Sequence, residues 1–77
     1  MNAVTEAVIG AAFKVSNALG CGFLEKVYEN ALGIELRRQG MTAPQQEPIP
    51  VFYEGVMVGD FYADIVVDGV VIVELKT

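Results

Sequence analysis

Along the first forty positions the apolar residues recur at helical spacing. Val4, Val8, Ala11, Val15 and Leu19 fall at i, i+4, i+7, i+11 and i+15, one stripe of a helix. Ile9, Ala12 and Phe13 are expected to widen that stripe. Gly20-Cys21-Gly22 then breaks the run, with Gly20 placed to end the helix in a left-handed conformation. A second helix is predicted from about Leu24 to Gln39, with Leu24, Val27, Tyr28, Ala31, Leu32 and Leu36 on its buried face and Gly40 as its stop. Arg37 and Arg38 in its last turn complement the helix dipole, whereas Gly33 inside it costs about 1 kcal/mol against Ala.

From Met41 onward the period changes to that of strands. The segment Ala43 to Pro50 carries all the prolines, so an edge strand or an extended connector fits it and a central strand does not. Val51-Phe52-Tyr53 is strand-like, Glu54-Gly55 a turn, and Val56-Met57-Val58 a short return strand before Gly59-Asp60. Phe61 to Val67 reads as a strand, Asp68-Gly69 as a hairpin turn, and Val70 to Lys76 as a last, β-branched strand. The predicted class is α+β, two N-terminal helices packed on an antiparallel β-meander, in one domain over residues 1–77. A strand so rich in Val and Ile is normally central and covered, yet here it ends with the chain. The expectation is a domain stopped partway through, at its C-terminal side.

Composition narrows the functions. The chain has 77 residues, 53% of them hydrophobic and 19% charged. That is more apolar surface than so small a monomer hides readily, which predicts a homo-oligomer in which neighbouring chains pair the exposed sheet edge or cover it with the first helix. No histidine and a single cysteine, Cys21, exclude Cys/His zinc sites, histidine triads and disulfide scaffolds. Cys21, between two glycines, reads as a small linker residue. A net charge of −5 disfavours a non-specific DNA coat. No apolar run approaches the ~20 residues that cross a bilayer, and no signal peptide is read, so a cytoplasmic protein with no membrane partner is expected.

Four ionisable residues sit where a plain fold would place something else. Asp64 lies inside a predicted strand, and Glu74 and Lys76 interrupt an apolar one from the same face. Glu25 opens the second helix, with Tyr28 one turn further on the same side. Asp64, Glu74 and Lys76 suggest metal-assisted phosphodiester hydrolysis. Carboxylates bind Mg²⁺ through a few hard oxygen ligands, and the backbone carbonyl of Leu75 is a candidate for another. A lysine beside them can orient the attacking water and balance charge on the phosphorane. The plainer reading stands beside it: Asp64 as a charge that blocks edge pairing, Lys76 as a solvated end, Glu25 as an acid favoured by the helix dipole.

Strand parity separates these readings. A two-residue turn at Asp68-Gly69 pairs Val67 with Val70 and turns Asp64 away from Glu74. A three-residue loop, Asp68-Gly69-Val70 with Gly69 left-handed, pairs Val67 with Val71 and sets Asp64 opposite Glu74. A shared site requires the second arrangement or a bulge elsewhere.

The blocks taken together resemble the GxxExxY protein family. Gly22-Phe23-Leu24-Glu25-Lys26-Val27-Tyr28 carries the G-x-x-E-x-x-Y signature, followed by Glu29-Asn30-Ala31-Leu32 and Glu35-Leu36-Arg37. Gln45 to Val51, Tyr53-x-Gly55-x-x-Val58-Gly59, Ala63-Asp64 and Val73-Glu74-Leu75-Lys76 continue it in order. That family belongs to the PD-(D/E)XK nuclease superfamily, with RecB-like exonucleases and Holliday-junction resolvases among its relatives. The resemblance implies a partial restriction-endonuclease-like core, a sheet flanked by helices. It implies Glu25, Asp64 and Glu74 at a Mg²⁺ (or Mn²⁺) site, Lys76 as the catalytic lysine, and a nucleic-acid substrate with DNA favoured. Ala63 stands where the superfamily label has Pro, as is usual in the family. Family members continue beyond the lysine into a helix and further strand, so this resemblance also implies truncation just after Lys76, with a frayed lysine and an exposed edge. Two functions follow: a Mg²⁺-dependent nuclease-like protein, inactive at this length in one version, or a non-catalytic remnant that self-associates or binds a partner.

Overall fold

A computed structural model describes residues 2–20, 22 and 24–76. The Cys21 linker reading and Phe23 of the signature block lie outside the described residues. Two helices, α1 (Ala3–Leu19) and α2 (Glu25–Arg38), precede three strands, β1 (Gln45–Tyr53), β2 (Val56–Val67) and β3 (Val71–Val73). The strands form an antiparallel sheet in the order β1-β2-β3. The α+β class is therefore as expected from the sequence, and it is consistent with a partial PD-(D/E)XK-type architecture of helices on a sheet.

Local chemistry sets the element ends. The Asn2 side chain accepts the Thr5 N–H at 2.7 Å and caps α1, a contact worth about 1 kcal/mol. At the other end the Gly20 N–H donates to Ser16 O at 2.8 Å while Gly20 takes a φ of 74°. The Tyr28 hydroxyl of α2 donates to the Gly20 carbonyl and ties the two helices at their junction. Past α2, the chain from Met41 to Pro44 runs extended beside the sheet, where Pro44 O accepts from Val66 N at 3.0 Å and Thr42 O from Asp68 N at 2.9 Å. The Arg37 guanidinium fixes this connector by donating to Ala43 O at 3.0 Å.

The core gathers Ala11 and Val15 of α1, Leu32 and Leu36 of α2, Ala43 of the connector, and Ile65 and Val67 of β2. Val4, Val8 and Leu19 pack around it, so the predicted stripe of α1 is the buried one. Its predicted widening is not: Ile9, Ala12 and Phe13 are exposed, Phe13 by 67%, because no element covers that flank. On α2, Leu24 and Val27 are likewise exposed, and Glu29, Gly33 and Glu35 are buried instead. Gly33 is less a weak point than a passage. A Cβ there would meet Gln45 Oε1 at 2.9 Å and Arg37 Nη1 at 3.0 Å.

The sheet also differs from expectation in its ends. Gly59-Asp60 does not interrupt pairing; β2 is continuous, with a bulge opposite Val51/Phe52 absorbing the irregularity. Glu54 and Gly55, with φ of 49° and 82°, make the two-residue turn. The proline-bearing β1 lies at one edge and the Val/Ile-rich β3 at the other, both as the sequence leads one to expect. The hairpin beyond the helices exposes Val51, Phe52, Tyr53, Val56, Met57 and Tyr62. This arm lifts the radius of gyration to 13.7 Å, against about 11.5 Å for a compact chain of this length. Among the described residues no helix is long and apolar enough to cross a membrane.

Buried Glu35 links the helices: its carboxylate lies 3.1 Å from Lys14 Nζ and accepts from Gln39 Nε2 at 3.0 Å. The Gln39 hydrogen bond first, then the hydrogen bond and charge of Lys14 and the charge of Arg38, hold the carboxyl below its ordinary 4.5 against the opposing pull of burial. A carboxylate with a depressed folded value stabilises the fold above its unfolded value and loses that contribution as pH falls through the folded one. Denaturation midpoints measured across a pH series should therefore fall more steeply below about pH 4.5 in the wild type than in Glu35→Gln. Parallel curves for the two proteins would contradict this reading.

Candidate functional site

Asp64 sits on the central strand, alternating with buried Ala63, Ile65 and Val67. The β2–β3 register pairs Ile65 with Val73, Val66 with Ile72 and Val67 with Val71. The loop is therefore Asp68-Gly69-Val70, and the register carried one residue further sets Asp64 opposite Glu74. Gly69 has the expected positive φ of 70°, and Asp68 shares it at 51°. The Asp68 carboxylate stabilises that backbone by accepting Thr42 N at 2.8 Å and Thr42 Oγ1 at 3.3 Å.

Asp64 is held at both oxygens. Its Oδ2 accepts the Leu75 N–H at 2.7 Å. Its Oδ1 accepts from Gln46 Nε2 at 3.3 Å, and the same Nε2 donates to Glu29 Oε1 at 3.1 Å. The Leu75 contact explains a departure from the sequence reading. The last strand does not run to Lys76; β3 ends at Val73, because the Leu75 donor goes to a side chain rather than to the ladder. The Leu75 side chain still packs against the core.

Glu29 is 4% exposed. A buried carboxylate is costly unless paired and hydrogen-bonded, and Lys26 Nζ at 3.1 Å and Gln45 Nε2 at 2.8 Å satisfy its Oε2. Gln45 and Gln46 are consecutive in an extended segment, so their side chains would ordinarily project to opposite faces. The left-handed φ of 55° at Gln46 lets both reach Glu29. Such a conformation costs a non-glycine residue about 1–2 kcal/mol.

The predicted residues are thus placed unevenly. Asp64 and Leu75 are joined directly, and Glu74 and Lys76 flank Leu75, both exposed beyond β3. Glu25 is exposed in the first turn of α2; the hydrogen-bonded route from Asp64 to that helix arrives one turn later, at Glu29. Glu29 and Gln46 escaped the sequence reading as site residues. The i, i+4 relation of Glu25 to Glu29, with Leu32 and Leu36 continuing the same side, was the available signal for the first. Among the described residues no three carboxylate, histidine or cysteine side chains lie close enough to hold a metal ion. The donor chemistry nevertheless suits a hard divalent cation. Asp64, Glu74 and the Leu75 carbonyl would each offer an oxygen donor, and Mg²⁺ is commonly held by only one or two carboxylates with water completing its shell.

Cations for phosphate are scarce. Lys14, Lys26 and Arg37 have internal partners, and Arg38 lies near enough to Glu35 for its charge to act on that carboxylate. An open groove lined by Pro44, Pro48, Val66, Val70 and Ile72 includes none of the candidate residues.

The family model of the PD-(D/E)XK nuclease superfamily matches residues 2–77. The chain therefore belongs to that superfamily. Among curated proteins and among solved structures, nothing matches it.

The loop that sets the Asp64–Glu74 register depends on Asp68. Replacing it by Ala removes the hydrogen bonds to Thr42 and leaves a Cβ residue in a left-handed conformation without local compensation. Asp68→Ala should lower the unfolding free energy by about 1–2 kcal/mol, and Asp68→Asn by less, since Asn tolerates that conformation. Equal losses in chemical denaturation would count against this assignment.

Proposed function

We propose that this superfamily member is a nuclease-like protein that uses a divalent metal, Mg²⁺ or Mn²⁺, to hydrolyse phosphodiester bonds of nucleic acid, with DNA the favoured substrate. The observation that carries the reading is the 2.7 Å hydrogen bond from Leu75 N to Asp64 Oδ2. It fastens the central-strand carboxylate to the backbone of the Glu74-Leu75-Lys76 segment, which supports a reading in which Asp64 acts together with that segment.

In this reading Asp64, Glu74 and the Leu75 carbonyl would hold the ion, and Glu25 would approach it from the start of α2. The bound ion supplies Lewis acidity to the phosphate and acidity to a coordinated water. Lys76 orients the attacking water through its ammonium hydrogens and offsets the negative charge that builds on the phosphate oxygens. Arg38 and Lys76 supply positive charge for the backbone of the nucleic acid. With so few cations and a net charge of −5, affinity should be modest and salt-sensitive.

The second reading, a non-catalytic protein that self-associates, draws on the exposed arm at Val51 to Tyr62. Its β1 edge is blunted by Pro48 and Pro50, and β3 is short, so copies would meet through the faces of the arm rather than its edges.

Titration of Mn²⁺ by calorimetry into the wild type and Glu74→Ala, with mass by light scattering on the same samples, separates the two. The nuclease reading predicts binding that weakens at least about tenfold in the variant, together with metal-dependent cleavage of DNA. Absence of binding in both proteins, with the sample above monomer mass, would favour the self-associating reading.

A further inference from the structure

Gln46 hydrogen-bonds both Asp64 and the buried Glu29 carboxylate of α2. Its amide nitrogen carries two hydrogens, and the structure uses one toward each carboxylate, Asp64 Oδ1 at 3.3 Å and Glu29 Oε1 at 3.1 Å. The residue adopts a φ of 55°, a conformation that ordinary side chains avoid and that persists only where the surroundings over-determine it. Gln46 is itself exposed, so packing does not force the conformation. What the bend achieves is the reach of its amide to both carboxylates.

We propose that Gln46 is a positioning residue for Asp64: anchored on Glu29, its side-chain amide holds the Asp64 carboxylate in the orientation from which it faces the Glu74-Leu75-Lys76 segment. The inference deepens the proposed function and rests on it for its chemical meaning, although the positioning itself is a property of the metal-free protein.

The geometry supports an orienting role more than simple adhesion. An ionised carboxylate offers about four acceptor sites on its two oxygens. Gln46 takes one on Oδ1 and Leu75 N takes one on Oδ2. With a donor fixed at each oxygen, rotation of the carboxylate plane is arrested and the remaining lone pairs point in set directions. The anchor is rigid because Glu29 is held from the other side by Lys26 and Gln45 and is buried against α2. Gln46 thus relates to Asp64 as hydrogen-bonded outer partners relate to ligating side chains in metal sites, where their loss typically weakens metal affinity about 10–100-fold.

Gln45 provides the control. It binds the same Glu29 carboxylate at 2.8 Å and Asn30 at 2.8 Å, and its hydrogen bonds do not include Asp64. A merely adhesive role between β1 and α2 would make the two glutamines alike.

The test compares wild type, Gln46→Gly, Gln46→Met and Gln45→Ala by amide hydrogen exchange at Leu75 without metal, by thermal melting, and by Mn²⁺ calorimetry. Gly relieves the left-handed backbone and Met keeps the side-chain length, so the pair separates folding from the lost amide. Expected are at least tenfold faster Leu75 exchange in both position-46 variants, a Gln46→Gly midpoint no lower than wild type, and a smaller acceleration in Gln45→Ala, which loosens the Glu29 anchor but leaves the amide at Asp64 in place. Where the wild type binds Mn²⁺, affinity should fall about 10–100-fold with the amide. Unchanged Leu75 exchange in the position-46 variants, or equal acceleration in Gln45→Ala, overturns the proposal. If the wild type binds no Mn²⁺, the metal reading fails, and the Leu75 data still decide whether Gln46 orients Asp64.

Discussion

The arrangement of this chain turns on one backbone donor, the Leu75 N–H, and on the carboxylate that takes it. A strand residue normally spends its N–H on the neighbouring strand. Here Asp64 accepts it at 2.7 Å, and three consequences follow. The β2–β3 ladder closes at Val73, the segment from Glu74 to Lys76 leaves the sheet while the Leu75 side chain stays against the core, and the acidic side chain of the central strand is bound to the residues that follow. The contact has the register it needs because the Asp68-Gly69-Val70 loop adds one residue to the tightest hairpin. Asp68, itself left-handed and fastened to Thr42, is the means by which the connector after α2 fixes that loop.

Around that contact the molecule divides into a packed end and an open one. Helices, connector and the last residues of β2 share a small core that includes Leu36 and Ile65, both fully buried. The rest of the sheet is a hairpin with apolar side chains in solvent. In a domain of this size one core rarely supplies more than about 3–5 kcal/mol, so an uncovered arm adds exposure without adding stability. The polar joint formed by Glu29, Gln45, Gln46 and Asp64 lies on the packed end, where α2 can hold it still. A rigid joint there is consistent with a site that must keep carboxylates oriented before any ion or substrate arrives.

Much of this was legible in the sequence wherever periodicity alone decides. The Val4 to Leu19 stripe, the hairpin turns and the edge position of the prolines follow from spacing and from what proline cannot donate. The flanks of the helices are not legible, because burial depends on what lies opposite, and periodicity does not reveal that Phe13 and Val27 stay exposed. Strand parity framed the decisive alternative at Asp68-Gly69 but could not choose, since that dipeptide suits both loop lengths. The burial of Glu29 is not legible because a glutamate on a helix is ordinarily solvent-facing; the three-dimensional meeting of Lys26, Gln45 and Gln46 makes it tolerable. Gln46 falls in a block that carries the family resemblance, but its conformation is not legible there, because a positive φ at glutamine is imposed by tertiary contacts and not by the residue.

The metal locus proposed above joins Asp64 to the Glu74-Leu75-Lys76 segment, and it can be observed directly. Sub-stoichiometric Mn²⁺ added to isotopically labelled protein broadens the amide signals nearest the ion. The Asp64, Glu74 and Leu75 amides should broaden first and together, with the arm around Glu54 and the α1 start at Glu6 unaffected at the same dose. Earliest broadening at those exposed acids, with Asp64 and Leu75 left sharp, would contradict the proposed locus.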